Sequence, residues 1–225
     1  RLHSFLLLLH YYQKRLHSYP LLLSNYQQRW LHNLMPGSKC QKLWLENLMQ
    51  EINLLSNYPS SRRDIKGRGE SKSEEDRRIA RRFDREFFDG DRRHGYGGFS
   101  YNPRFWEPVA PFFEKQYDLK SGDSLLDVGC AKGFMIHDFS RLISGLRVEG
   151  LDISEYAINN VIEGMAQNCQ VADARALPFA DDTFDVVVSI NTIHNLVRSD
   201  LICALKEVER VKRRGSFITV DAYRT

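Results

Sequence analysis

An apolar run of the chain reaches Asp127, and a turn of small residues follows at once, through Gly129, Cys130, Ala131 and Gly133. Small residues let the backbone bend sharply and let a ligand approach main-chain N–H groups. The stretch from Phe134 to Ile143 reads as a helix, so a strand, a tight turn and a helix N-terminus meet at this point. A second apolar run, Leu146 to Leu151, ends in Asp152. An acid in that place, one βαβ unit after the first turn, can accept hydrogen bonds from both hydroxyls of a ribose. It can equally cap a helix over Ser154 to Val161. A third short strand ends at Asp173 and Ala174. A fourth run, Phe184 to Ile190, leads through Ser189 into Asn191, His194 and Asn195. A histidine there can act as a general base near neutral pH, or it can simply pack the start of the next helix.

The elements that must position these residues follow from the same pattern. The fourth run is almost wholly Val and Ile, as suits a central parallel strand covered on both faces. A helix from Asp200 to Val211 places Leu201, Leu205, Val208 and Val211 on one stripe. Arg213, Arg214 and Gly215 read as its C-terminal stop, and a fifth strand is expected from Ser216 to Asp221. Carboxyl ends of parallel strands are where open α/β sheets bind ligands, and all the residues named above fall there.

The spacing Asp127-x-Gly129-x-Ala131-x-Gly133 resembles the first motif of the class I S-adenosylmethionine-dependent methyltransferases, with Ala131 in place of the middle glycine. The dinucleotide fingerprint G-x-G-x-x-G is not met, because the third position after Ala131 is Phe134. The stretch Leu177-Pro178-Phe179-Ala180-Asp181-Asp182-Thr183-Phe184-Asp185 is similar to that family's linker before the fourth strand, and is the more specific of the two signals. The resemblance covers roughly residues 122 to 225. It implies a Rossmann-like, doubly wound, mostly parallel sheet of α/β class. It also implies S-adenosyl-L-methionine as cofactor, held by Asp127, Gly129, Cys130, Ala131, Gly133, Asp152, Ile153, Asp173, Ala174, Ser189 and Asn191. Of these, Asp152 would take the ribose, Ile153 would pack on the adenine, and Asp173 would meet the adenine amino group. The family's seven-stranded sheet closes with an antiparallel hairpin, so its last strands are expected to be missing here and the fifth strand to be an edge.

Before the core, Ser73 with Glu74, Glu75 and Asp76 opens a helix expected to run through Ile79, Phe83, Phe87 and Phe88. The arginines at 78, 81, 82 and 85 read as its solvated face. Glycines and aromatics alternate from Gly90 to Tyr101, as suits a lid over a ligand, with Tyr96, Tyr101 and Arg104 as its contacts. The same aromatics could instead hold the N-terminal helices to the sheet. A helix is expected from Pro103 to Tyr117, and another over Lys39 to Leu55. Residues 1–35 carry a near-repeat, Arg1-Leu2-His3-Ser4 against Arg15-Leu16-His17-Ser18, and no acid. They read as a low-complexity stretch with little fixed structure. A secretory signal, a basic amphipathic arm and sequence upstream of a start at Met35 are the alternatives, the last favoured. The expected division is therefore 1–35, a helical extension and lid over 36–117, and a truncated cofactor-binding domain over 118–225.

Composition sets the bounds. The chain has 225 residues and a formal charge of +3, of which Arg1, Lys14, Arg15 and Arg29 supply more than the total, leaving the core close to neutral. That gives no electrostatic case for nucleic acid. Cys40, Cys130, Cys169 and Cys203 have no paired spacing, so neither a metal nor a disulfide frame is expected, and a reducing cytoplasm is. No apolar run is long enough to span a membrane. Ser189-Ile190-Asn191-Thr192 lacks the Asn-Pro-Pro-Tyr pattern of some amino-methylating enzymes, and with the neutral core this points to a small-molecule acceptor. The rival functions are a non-catalytic methyltransferase-like binding module and a nicotinamide-dependent oxidoreductase.

Overall fold

The computed structural model describes residues 53–59 and 72–219. The expectations for residues 1–35 and for most of the Lys39–Leu55 helix lie outside the described residues. The described residues from Leu55 onward form one compact unit. Its centre is a five-stranded, all-parallel sheet in the order β3-β2-β1-β4-β5. The strands are β1 (Ser124–Val128), β2 (Arg147–Asp152), β3 (Cys169–Val171), β4 (Phe184–Ile190) and β5 (Lys212–Thr219). The helices are α1 (Glu74–Ala80), α2 (Arg85–Phe88), α3 (Ala110–Tyr117), α4 (Phe134–Leu142), α5 (Glu155–Asn159) and α6 (Arg198–Val211). The doubly wound α/β reading therefore holds, with the strand order reversing between β1 and β4.

Both faces of the sheet are covered. On one, Phe113 of α3 meets Phe139 of α4 at 5.2 Å and Phe217 of β5 at 5.1 Å between ring centroids. On the other, Val208 and Val211 of α6 pack with Leu126, Val128, Leu151, Leu177, Phe184 and Val187. Burial of every residue of β1 explains why its run is continuously apolar up to Asp127. The linker before β4 is pinned to α6 by two side chains, Arg210 and Glu207, the latter accepting from the Leu177 N–H at 2.8 Å. Arg210 donates to the carbonyls of Phe179 (2.7 Å) and Leu177 (3.0 Å) and pairs with Asp181 (2.9 Å).

Three element boundaries differ from the sequence reading. Ser73 caps α1 as expected, in a reciprocal box with Asp76. The helix nevertheless stops at Ala80, because Phe83 takes a left-handed φ of 50° and Asp84 caps a separate α2. The helix expected from Pro103 begins at Ala110, residues 103–109 forming turns. Arg213, Arg214 and Gly215 are not a helix stop. The strand β5 starts directly after Val211, and both arginines lie within it, paired with Asp185 (3.3 Å and 3.4 Å). Gly215 leaves room for Tyr117, whose ring carbon would be 2.7 Å from a Cβ at that position, while the Tyr117 hydroxyl donates to the Ser216 carbonyl at 3.0 Å.

No helix among the described residues is long and apolar enough to cross a membrane. The packing at β5 gives a stability test. Gly215→Ala should lower the unfolding free energy by about 1–3 kcal/mol in urea titration, because the new methyl overpacks the Tyr117 ring. In a double-mutant cycle with Tyr117→Leu the penalty should shrink, whereas strictly additive losses would show that the ring is not what the methyl meets.

Candidate functional site

The site is built where β1 and β2 end. Gly129 and Cys130 both donate their backbone N–H to the carbonyl of Leu151, at 2.7 and 3.0 Å, which locks the turn to the end of β2. Gly129 has φ +91°, and a Cβ there would run into the side chain of Thr192. Ala131 takes a left-handed φ of 51°, and Gly133 follows at 76° as the N-cap of α4. The Ala131 N–H donates to Asp152 Oδ2 at 2.9 Å, and the Ser154 N–H to Oδ1 at 2.9 Å. Asp152 thus braces both flanking segments. It does not cap the helix, since Ser154 does so through its hydroxyl, which accepts from Ala157 N–H at 3.0 Å.

Two buried carboxyls therefore stand side by side. Burial pushes the Asp127 carboxyl up, the neighbouring Asp152 adds to it, and together they bring it to about 8. Asp152 is raised by burial and pulled back by the backbone N–H groups of Ser154 and Ala131. Among the described residues no cation pairs with Asp127. Ile153, beside them, is 55% exposed, an apolar surface left open next to the acids.

The other expected residues divide. Ala172 N–H bonds the Asp152 carbonyl at 3.0 Å, which brings the segment of Asp173 and Ala174 beside β2. The Asp173 carboxylate is engaged by Arg175 and held below its usual range by it, so its expected adenine contact must compete with an ion pair. Ser189 is wholly buried, and its hydroxyl donates to the Val128 carbonyl at 3.0 Å, tying β4 to β1. Asn191 takes φ 52°, and its side-chain oxygen accepts from the Thr219 hydroxyl at 3.2 Å. His194 and Asn195 lie in a 3₁₀ turn, Ile193–Asn195. The Asn195 amide donates to the Thr192 carbonyl at 3.0 Å, and His194 Nδ1 is buried with no protein partner. Thr192 brings this turn against Gly129.

The loop before the core packs against the turn through residues that the sequence reading did not name. Lys132 is buried, and its ammonium donates to Asp89 Oδ2 at 2.6 Å and to the Phe99 carbonyl at 2.9 Å. Tyr156 adds a hydroxyl to the same Asp89 oxygen at 2.6 Å, and the Phe99 N–H bonds Oδ1 at 2.9 Å. Burial pushes the Asp89 carboxyl up, but these donors outweigh it and hold it down at about 2. Phe99 stacks on Phe134 at 5.0 Å and meets Tyr96 at 4.3 Å. Tyr101 donates to the buried Asp138 of α4 at 2.5 Å. The expected lid contacts Tyr96 and Tyr101 thus belong to an aromatic cluster that fastens the loop to α4. Arg104 lies exposed, its guanidinium 4.8 Å above the Phe105 ring. Nothing local in the sequence joins Asp89 to Lys132. The available signal was a lysine in a turn otherwise made of small residues.

Residues 126–220 match the family described as methyltransferase domain. The match spans less than half of the chain, and that segment is similar to methyltransferase domains. The chain is 33% identical over 108 residues to the mitochondrial arginine-hydroxylase NDUFAF5 of Rattus norvegicus, covering 47% of this chain and 31% of that protein. It is 33% identical over 117 residues to cycloartenol-C-24-methyltransferase 1 of Oryza sativa subsp. japonica, covering 48% and 33%. It is 31% identical over 119 residues to the tRNA (carboxymethyluridine(34)-5-O)-methyltransferase of Arabidopsis thaliana, covering 52% and 28%. The chain spans about a third of the length of these relatives. Their names correct one expectation. The same domain type serves a protein named as an arginine hydroxylase and another named for tRNA, so the expected small-molecule acceptor without nucleic acid does not stand. The near-neutral core was a poor guide, because an acceptor can be recognised by parts of a protein outside this domain.

The lysine latch makes a dynamic prediction. In hydrogen–deuterium exchange, Lys132→Met should speed amide exchange at Tyr96, Gly98 and Phe99 by roughly tenfold or more, with β1 unchanged. Lys120→Met, which removes an exposed pair with Asp118, should leave those amides as they were.

Proposed function

We propose that the chain binds S-adenosylmethionine at the carboxyl ends of β1 and β2 and transfers its methyl group to an acceptor. The observation that carries this reading is the buried, uncompensated acid Asp127 beside Asp152, bracketing a turn at a helix N-terminus. The residues suit such a cofactor. A ligand with an ammonium and a sulfonium supplies the positive charge that Asp127 lacks. Asp152 retains lone pairs for two ribose hydroxyls beyond the two backbone N–H bonds it already accepts. Ile153 offers an apolar face for a base. The bound cofactor supplies an electrophilic methyl carbon. The chain's part is then to hold the acceptor in line with it and to exclude water, which the loop latched by Lys132 and Asp89 is placed to do. His194, with its buried Nδ1 free of protein partners and its turn packed on Gly129, is our choice for a proton acceptor on the acceptor side. A reducing, cytoplasmic setting belongs to this reading, in keeping with the free thiols of Cys130, Cys169 and Cys203.

Calorimetric titration with S-adenosylhomocysteine tests it, with NAD in parallel. Affinity on the order of micromolar for the first and none for the second is expected. Asp152→Asn should weaken binding about 10- to 100-fold, since it loses charge-assisted bonds. A folded chain that binds neither ligand would overturn the proposal.

A pH test follows from Asp127. Its carboxyl is raised in the folded state, so the stability it contributes is present below about pH 4 and is lost as pH rises through about 8. The ligand-free chain should therefore lose stability over that window, and Asp127→Asn should flatten the loss. Wild-type affinity for S-adenosylhomocysteine should rise over the same window, because a ligand ammonium pairs with the ionised form. A flat affinity profile between pH 6 and 8 would remove Asp127 from the binding site.

A further inference from the structure

Cys130 and Cys169 are far apart in the chain and meet beneath the turn. Cys130 is buried there, and Cys169 opens β3 half-exposed. Across the β2–β3 pair Cys169 stands opposite Gly150. Partners in register on neighbouring parallel strands project to the same face, about 4.8 Å apart. Gly150 projects nothing, and Cys130 fills the place: a Cβ at Gly150 would lie 2.8 Å from both Cβ and Sγ of Cys130. From the other side, a Cβ at Gly133 would lie 3.4 Å from the Cys169 sulfur. The two thiols thus occupy one slot between the turn and β3.

We propose that Cys130 and Cys169 are a reversible dithiol–disulfide pair that couples the cofactor turn to the redox state around it. The neighbouring Cys130 thiol pulls the Cys169 thiol down, while that same neighbour and burial push the Cys130 thiol up. Cys169 is therefore the attacking sulfur and Cys130 the resolving one. With a peroxide as oxidant, the Cys169 thiolate displaces hydroxide to become a sulfenic acid. The Cys130 sulfur then attacks it, the S–S bond forms, the S–O bond breaks, and water leaves. Two thiols and one hydrogen peroxide give one disulfide and two waters. With a disulfide as oxidant, the mixed disulfide on Cys169 is resolved by Cys130 and a thiol leaves.

The consequence rests on the cofactor reading given above. A disulfide requires sulfurs about 2.05 Å apart, which draws Cys130 across Gly150 toward β3. Cys130 is held by its N–H to the Leu151 carbonyl, and its neighbour Ala131 holds Asp152. Strain placed on Cys130 therefore reaches the carboxylate assigned to the ribose.

The test uses the full chain with Cys40→Ser and Cys203→Ser, so that two thiols remain. After hydrogen peroxide or oxidised glutathione, mass spectrometry should show the loss of two hydrogens, a peptide linkage of Cys130 to Cys169, and full reversal by dithiothreitol. The oxidised form should bind S-adenosylhomocysteine at least about tenfold more weakly than the reduced form. Adding Cys169→Ser should make binding insensitive to oxidant. A stable sulfinic acid or an unresolved glutathione adduct at Cys169 would overturn the pair, and equal affinity of the two forms would overturn the coupling. If the reduced chain binds no S-adenosylhomocysteine, the cofactor reading fails, while the linkage map still decides the thiol pair.

Discussion

A carboxyl group taken out of water must find a partner charge, a set of donors or a proton, and Asp127 and Asp152 are buried together at the ends of adjacent strands. Much of the surrounding structure answers to that constraint. Asp152 recruits two backbone N–H groups, which fixes the left-handed bend at Ala131 and the start of α5. Asp127 recruits none of the described cations and titrates upward instead. The asymmetry is informative. A protein can neutralise a buried acid with one well-placed lysine, and this one has a buried lysine only a turn away. That lysine, Lys132, points instead at Asp89. The cation nearest in sequence is spent on closing the loop, and the acid at the strand end is left without a described cation.

The loop and the turn are consequently one device. Lys132 belongs to the turn by sequence and to the loop by contact. Tyr156, just after the brace at Asp152, reaches the same Asp89 oxygen. Ser154 also donates to the Phe83 carbonyl at the break between α1 and α2. That break, which a continuous helix would not provide, is what lets the chain turn back over the strand ends. The left-handed Phe83 and the cap at Asp84 thus serve the site as much as the fold.

The parts of this arrangement that were readable in the sequence share a physical origin. Strand ends, the small-residue turn, the Ser73 cap and the acid at Asp152 depend on residues a few positions apart, where spacing alone specifies geometry. What was not readable depends on partners that meet only after folding. Arg213 and Arg214 look like a helix stop until Asp185 is brought beside them. Ser189 sits in a motif position but is consumed by the Val128 carbonyl. Cys130 and Cys169 have no meaningful spacing, and become neighbours because Gly150 leaves a gap between the turn and β3.

Gly129 joins the two halves of the site. Its missing side chain admits Thr192, so the segment bearing His194 packs directly on the turn that follows Asp127. The turn and that segment therefore touch directly, without the sheet between them. The same contact explains why this position demands glycine twice over, once for its φ of +91° and once for space. Alanine at 131 satisfies the first demand less well but faces no such intrusion.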